Sequence, residues 1–430
     1  MEKLYQYLWK SRMFGRKLRE AGGAEVEVID PGRLNTDAGP DFFNSKIRID
    51  GVEWAGNVEI HIKASDWERH GHHSDVAYDS VLLHVVGVSD CRVRRTDGTL
   101  IPQVEITMPE DFFRTFASLS SEMEGIKCRD SLLSIGSLAL TDWLETLAVE
   151  RLQSKAGRIL DIYAMSGNDW EQTCFIILAR SMGFGLNGDP FEMLARSLPL
   201  KYLHHHSDNP LQLQALLFGQ AAMLDSSLHI FDEYYQLLCR EYYFLARKYG
   251  LRPLRPGLWK YARTRPQNFP HRRIAFLSKA CEDGFSLFSS IISSGDDPEK
   301  IRELFSWRLE GYWHSHFSFD VEARSVSDSL SDSSVTLLMI NVVAPLLYAA
   351  GAVRGDMALA ERGQSLLEKL PGENNGIIRQ WGICGLKAGN AWRSQALLHL
   401  KKEYCDSRKC LYCRFGNNLL KRAAQEIDRL

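Results

Sequence analysis

PDFFNSKIRIDGVEWAGNVEIHIK, residues 40–63, decides how the N-terminal part of this chain folds. Side chains alternate between the two faces of a β-strand, so residues i, i+2 and i+4 share one side. Phe42 to Ile49 reads as one strand, bounded by the hairpin-type dipeptide Asp50-Gly51, and Val58 to Lys63 reads as the next. On the second strand Val58, Ile60 and Ile62 form an apolar side that can pack on a core. Asn57, Glu59, His61 and Lys63 form the other side, which faces a cleft. Asp41 opens the first strand. Strands paired side by side bring the Asp41 and Glu59 carboxylates together with an imidazole next to them.

Working outward, Glu25 to Ile29 alternates charged and apolar residues, and Val81 to Val86 is a continuous apolar strand. Cys91 to Arg95, Asp97-Gly98 and Leu100 to Ile106 read as one more hairpin. Upstream, Leu4, Tyr5, Leu8, Trp9, Phe14 and Leu18 recur at helical spacing, predicting a helix over residues 3–19 that Gly22-Gly23 ends. The order helix, three strands, short helix, strand describes a small α/β unit ending near residue 110. From about residue 135 the pattern turns helical, as at Leu138, Leu144, Leu147 and Leu152, with a Ser-rich loop at 325–334 and no fixed-period repeat. The expected class is therefore α+β. A small α/β domain (1–110) precedes a large all-α domain (111–400), and a cysteine-containing segment (401–430) is expected to pack on the helical domain.

The composition, 430 residues with 45 % hydrophobic and 25 % charged, is that of a globular protein of two or three domains. A formal net charge of -2 excludes a globally basic nucleic-acid binder, so any such surface must be local. Met1 to Phe14 carries Glu2, Lys3, Lys10 and Arg12 and lacks the apolar run of a signal peptide. Nine cysteines, an odd number without framework spacing over most of the chain, suit a reducing, cytoplasmic setting. Val335 to Val353 is uncharged and long enough to span a bilayer, but it holds Asn341, Pro345 and Gly351. A buried, Pro-kinked helix is the expectation there, with no membrane partner.

Two carboxylates on adjacent strands can hold Mg²⁺ or Mn²⁺, which lowers the pKa of a bound water and stabilises charge on a phosphate. The pairing of Pro40-Asp41 with Glu59-Ile60-His61 resembles the PD-(D/E)XK nuclease pattern, in which a Pro-Asp strand start precedes Glu-x-Lys on the next strand. The resemblance implies a restriction-endonuclease-like domain with Asp41 and Glu59 as metal ligands and the Ile60 carbonyl as a third. It departs from the pattern at His61, where the lysine would stand, with Lys63 two residues on. His61 or Lys63 would then serve the water or the phosphate. After this strand come Asp66-Trp67, His70, His72, His73, Asp75, Tyr78 and, on the next strand, His84. Such a loop can add metal ligands or phosphate contacts. His73 reads as solvated, and His84, on an apolar strand, as a core histidine with a satisfied hydrogen bond. The wider string, from Asn35 and Asp37 through Asp41 and Trp54-to-His61 to Leu83-His84-Val85-Val86, resembles an uncharacterised bacterial family known only as a domain of unknown function. That likeness implies a nuclease-like N-terminal domain.

Two further stretches carry chemistry. Leu251 to Ala280 has no Asp or Glu but holds Lys260, Arg263, Arg265 and Arg273 among its cations, with Trp259, Tyr261 and Phe269 interleaved. That mixture suits the phosphates and bases of DNA or RNA. Cys405-x4-Cys410-x2-Cys413 suits Zn²⁺, with a fourth ligand from Cys384, Cys128 or a histidine. The tail is also loosely similar to that of PD-(D/E)XK exonucleases that close their nuclease domain with an iron–sulphur cluster. Together these features predict a metal-dependent nuclease or a nuclease-derived protein. A non-catalytic nucleic-acid or protein-binding module and a metallohydrolase of smaller substrates are the alternatives.

Overall fold

The computed structural model describes residues 2–14, 18–35, 37–107, 110–120, 125–132, 135–225, 230, 232–262, 264, 266–295, 297–323 and 327–425. The chain divides into two compact units, Met1–Ser137 with Lys401–Leu430, and Leu138–Leu400. The first therefore extends past the expected boundary at 110. It also takes in the C-terminal segment, which had been expected on the helical domain.

Helix α1 (Glu2–Lys10) is shorter than its apolar spacing predicts. The chain leaves it through Arg12, which sits in the left-handed region at φ 52°, with Met13 N–H donating to the Leu8 carbonyl and Arg12 N–H to that of Trp9. Those crossed bonds form a Schellman stop. Leu18 then enters a short strand, β1 (Leu18–Arg19), instead of continuing the helix. Next come β2 (Glu25–Asp30), β3 (Arg33–Leu34), β4 (Phe42–Ile49) and β5 (Val52–Lys63). The Asp50-Gly51 hairpin forms as expected, with φ of 44° and 83° at its central residues, and pairs Ile49 with Val52. A crossover through the short helix α2 (Asp66–Arg69) leads to β6 (Val81–Val88), followed by β7 (Gln103–Glu105) and α3 (Glu110–Ser120).

The strands make one seven-stranded sheet in the order β1-β2-β4-β5-β6-β7, with β3 also on β4. Pairing is antiparallel up to β5, then parallel from β5 to β6 and from β6 to β7. An antiparallel bridge from Glu20 to Val104 joins the two edges of the sheet. The expected hairpin forms only near its turn, where Arg94 bridges Leu100, Arg95 N–H donates to the Thr99 carbonyl and Ile101 N–H to that of Val93; beyond it Gln103–Glu105 lies parallel to β6.

One face of β5 carries Val58 and Ile60 into a core shared with Leu4, Leu8 and Trp9 of α1 and with Leu83 and Val85. The C-terminal helix Arg414–Gln425 packs on α3 and adds Leu420 to that core. On the other face a smaller cluster of Trp67, Val81, Val86, Val93 and Ile101 forms beneath the crossover.

The second unit is largely helical, from the long helix Ser137–Met165 onward, but against the all-α expectation it carries a two-stranded antiparallel hairpin of His316–Ser318 and Val321–Glu322. Its apolar stretch Asp332–Arg354 has mean hydropathy 1.9 over a window that is 72 % buried. Within it a π-turn at Met339–Val343 precedes Pro345. Proline cannot donate to the carbonyl four residues back, and the widened turn absorbs that lost bond.

Candidate metal centre

Strand alternation puts Glu59 and His61 on the face of β5 opposite the main core, and the crossover loop folds His70 and His72 over them. In parallel register Glu59 lies beside His84 of β6 and His61 beside Val86. Gly71, at φ 79°, turns the chain between the two loop histidines. The donor atoms of His61, His70 and His72 all lie within 4.8 Å of one another. His61 Nε2 is 3.2 Å from His70 Nδ1 and 3.7 Å from Glu59 Oε1, and His72 Nε2 is 3.5 Å from the same Glu59 oxygen. A tetrahedral ion with bonds of about 2.1 Å sets its ligand atoms about 3.4 Å apart. The His61–His70, His61–Glu59 and His72–Glu59 separations lie near that spacing, so the three imidazoles form a donor group with the Glu59 carboxylate touching two of them.

Hydrogen bonds behind the cluster fix which His61 nitrogen faces it. Gln103 Nε2 donates to the Cys91 carbonyl (2.9 Å) and to Ser89 Oγ (2.7 Å), so its Oε1 faces His84 Nδ1 at 3.1 Å. An amide oxygen only accepts, so His84 Nδ1 carries the proton and Nε2 is an acceptor. His61 Nδ1, 2.9 Å from that Nε2, is therefore the donor. The lone pair of His61 Nε2 is left to point at His70, His72 and Glu59. Chains of this kind orient metal-binding histidines. Trp67, fully buried, meets His84 and His72 at 5.3 Å and His61 at 6.5 Å between ring centres, and Tyr78 stacks on His72 at 3.7 Å. His84 is thus the satisfied core histidine expected, and it also orients His61.

Asp41 adjoins this group through reciprocal backbone bonds. Its N–H donates to Glu59 Oε2 (3.0 Å), and its Oδ2 accepts from Ile60 N–H (3.1 Å). Gln6 of α1 holds Oδ1 at 2.8 Å. Asn35 shapes the loop that presents Asp41, donating to the carbonyls of Asp37, Ala38 and Pro40. Glu59 is 5 % exposed, His61 0 % and His72 9 %, whereas His70 is exposed and opens the cluster to solvent. Burial pushes the Asp41 and Glu59 carboxyls up, and the neighbouring Asp41 charge adds to the shift at Glu59. Burial and the surrounding imidazoles push His61 down to about 2, and burial pushes His84 down to about 4. With both histidines neutral, the cluster is a set of lone pairs with one or two carboxyls.

Not every expected residue joins it. Lys63 is exposed, and its charge acts on Asp90. Asp66 is buried but serves the crossover, accepting from Lys63 N–H and pairing with Arg69 at 2.8 Å. Asp75 accepts from Ala77 N–H and shapes the turn before β6, while Asp37 is exposed in the Asn35 loop. His73 is exposed beside Glu68, as expected.

In the second unit Arg273 is only 3 % exposed, its guanidinium 4.3 Å from the Phe184 ring. Arg272 is fully buried and donates to the carbonyls of Trp313, His316 and Ser327. Arg273 is thus a core contact, because its neighbours leave no face for a phosphate. Lys260 is exposed. Arg263 and Arg265 lie outside the described residues.

Gln6 and Gln103 were not singled out in the sequence. A glutamine carries no chemical signature, and only the strand register brings Gln103 beside His84.

No curated protein and no solved structure matches the chain. A family model described as "Protein of unknown function (DUF2851)" matches residues 2–376, which covers most of the chain, including the whole histidine and carboxylate cluster. The chain belongs to this DUF2851 family.

Proposed function

We propose that this protein is a transition-metal-dependent hydrolase of phosphodiesters, built on a nuclease-like sheet. The observation that carries the reading is the convergence of the His61, His70 and His72 donor atoms within 4.8 Å, with Glu59 against two of them and Asp41 beside Glu59. A donor set dominated by imidazole favours Zn²⁺ over the Mg²⁺ or Mn²⁺ suggested by two carboxylates alone. The nuclease-like part of the reading draws on element order. A helix, the antiparallel strands β1 to β5, a crossover and the parallel strand β6 occur in sequence, with Asp41 immediately before β4 and Glu59 on β5.

Bound there, the ion would supply a water of lowered pKa and a Lewis acid for a phosphate oxygen. The chain's own residues divide the remaining work. Glu59 and the three imidazoles bind, and the His84–Gln103 chain keeps the His61 lone pair aimed inward. Asp41, with its carboxyl raised toward neutrality, can take a proton from the attacking water and return it to the leaving oxygen. Lys63 is too exposed for the lysine's part in this scheme.

The test is cleavage of single- and double-stranded DNA and RNA, and of a small aryl phosphodiester, with Zn²⁺, Mn²⁺ or Mg²⁺ added to metal-stripped protein. Turnover that falls at least about 100-fold in Glu59→Gln and His72→Ala supports the reading. Equal behaviour of wild type and both variants on every substrate refutes it. The burial of Glu59, His61 and His72 gives one argument for a smaller substrate. Turnover of the aryl diester alone, with no polymer cut, would favour that second reading.

A further inference from the structure

The cysteines form a second group, in the first unit. Cys128 follows α3, Cys405 ends a π-turn at Leu400–Cys405, and Cys410 and Cys413 stand in the turn before the C-terminal helix. All four line one small pocket, which Leu119 and Gly416 help to close. The backbone is shaped to bring them there. Arg408 is left-handed at φ 53°, Lys409 N–H donates to the Tyr404 carbonyl, and Cys413 N–H donates to the carbonyls of Lys409 and Cys410. A Cβ on Gly416 would lie 2.2 Å from the Cys410 carbonyl oxygen, so only glycine lets the turn seat on the first turn of the helix. Cys384, the sequence-nearest candidate for a fourth ligand, belongs to the other unit.

We propose that Cys128, Cys405, Cys410 and Cys413 hold a four-thiolate metal centre, a zinc ion or an iron–sulphur cluster, that fastens the C-terminal segment to the sheet-bearing unit. Four thiols from two distant parts of the chain line one small apolar pocket, and soft thiolate donors of that kind suit zinc or an iron–sulphur cluster. Electrostatics alone leave these thiols protonated. Without a cation, burial and then the neighbouring Cys128, Cys413 and Cys410 push the Cys405 thiol up. A bound cation reverses that sign and deprotonates the ligands. Lys401 acts on Cys405 and Lys127 on Cys410, and both favour the thiolate.

The experiment measures zinc, iron and acid-labile sulphide in full-length protein purified without oxygen. A His72→Ala background removes one proposed ligand of the histidine cluster, and the sulphur content of the metal shell then separates any metal left there from metal on the cysteines. About one zinc per chain, or iron and sulphide in cluster proportion, is expected. Cys128→Ser should lose it and Cys384→Ser should retain it. X-ray absorption at the metal edge gives a readout that needs no cysteine variant to fold: sulphur should account for the whole protein-derived shell. Zinc with four sulphurs and iron with sulphide both support the centre and identify its metal. Protein that stays metal-free after reconstitution with zinc or with iron and sulphide overturns the proposal. So does full metal content in a folded Cys128→Ser variant, or a shell with nitrogen or oxygen donors from the protein.

Discussion

At the scale of single residues, the candidate site is a contest between burial and charge. Glu59 and Asp41 keep protons in the folded, metal-free state that the unfolded chain releases near pH 4. Raised carboxyl values make folding tighter for protons, so stability falls as pH rises above that range. His61 and His84, held neutral, act in the opposite direction below about pH 6.5, where only the unfolded chain protonates them. The two effects oppose each other in mild acid; above it the carboxyls continue to act, joined near pH 9 by the buried thiols of Cys174, Cys281 and Cys405, which burial also pushes up. Metal-free protein should therefore melt at a lower temperature at about pH 9 than at about pH 6.5, with a smaller drop in Glu59→Gln. Added Zn²⁺ should shrink the drop, because the ion takes the protons' place. Thermal melts in EDTA and in zinc check both statements. Gln103 tests the tautomer argument: Gln103→Leu frees His84 to turn and should weaken metal affinity about 10- to 100-fold by titration calorimetry. Gln103→Glu, which keeps an acceptor, should retain most of the affinity.

At the scale of elements, α1 and the crossover sandwich the sheet and position the site from both sides. α1 lies over β5 and β6, where a Cβ on Gly87 would meet the Tyr5 hydroxyl oxygen at 2.4 Å. Gly87→Ala should displace Tyr5 and cost about 1–3 kcal/mol in denaturant melts, with metal binding kept because the clash is on the opposite face. Much of this level was legible in the sequence. Alternation along Val58 to Lys63 separates Ile60 from Glu59 and His61 without any structure, and Asp50-Gly51 announces its hairpin. The extent of α1 was not legible, because Phe14 and Leu18 continue the helical spacing that the left-handed Arg12 breaks. Nor was the role of Gln103–Glu105, since a three-residue strand carries too little pattern to distinguish a hairpin arm from a parallel edge.

At the scale of the whole molecule, the first unit is made from both ends of the chain. Leu420 of the C-terminal helix shares a core with Leu8, Phe112 and Leu119. Removing residues 401–430 should therefore uncover the main apolar core of this unit, beyond any effect on the cysteines. The expected outcome is loss of its cooperative transition and binding of a hydrophobic dye, measured by differential scanning calorimetry and fluorescence. A truncated chain that keeps two normal transitions would show that the tail is dispensable.

The sequence by itself determined the alternating strands, the carboxylates at Asp41 and Glu59, the histidine-rich crossover and the change to helix near residue 135. These follow from local periodicity and residue chemistry, which neighbours along the chain suffice to express. Tertiary structure alone decided that His61 faces His70 and His72 while Lys63 turns to solvent, and that Arg273 is buried. It also decided that Cys128 is the cysteine lining the pocket with the C-terminal three. Each is a meeting of residues far apart in sequence or a choice of side-chain direction. Packing and strand register fix such meetings, and residue spacing does not encode them.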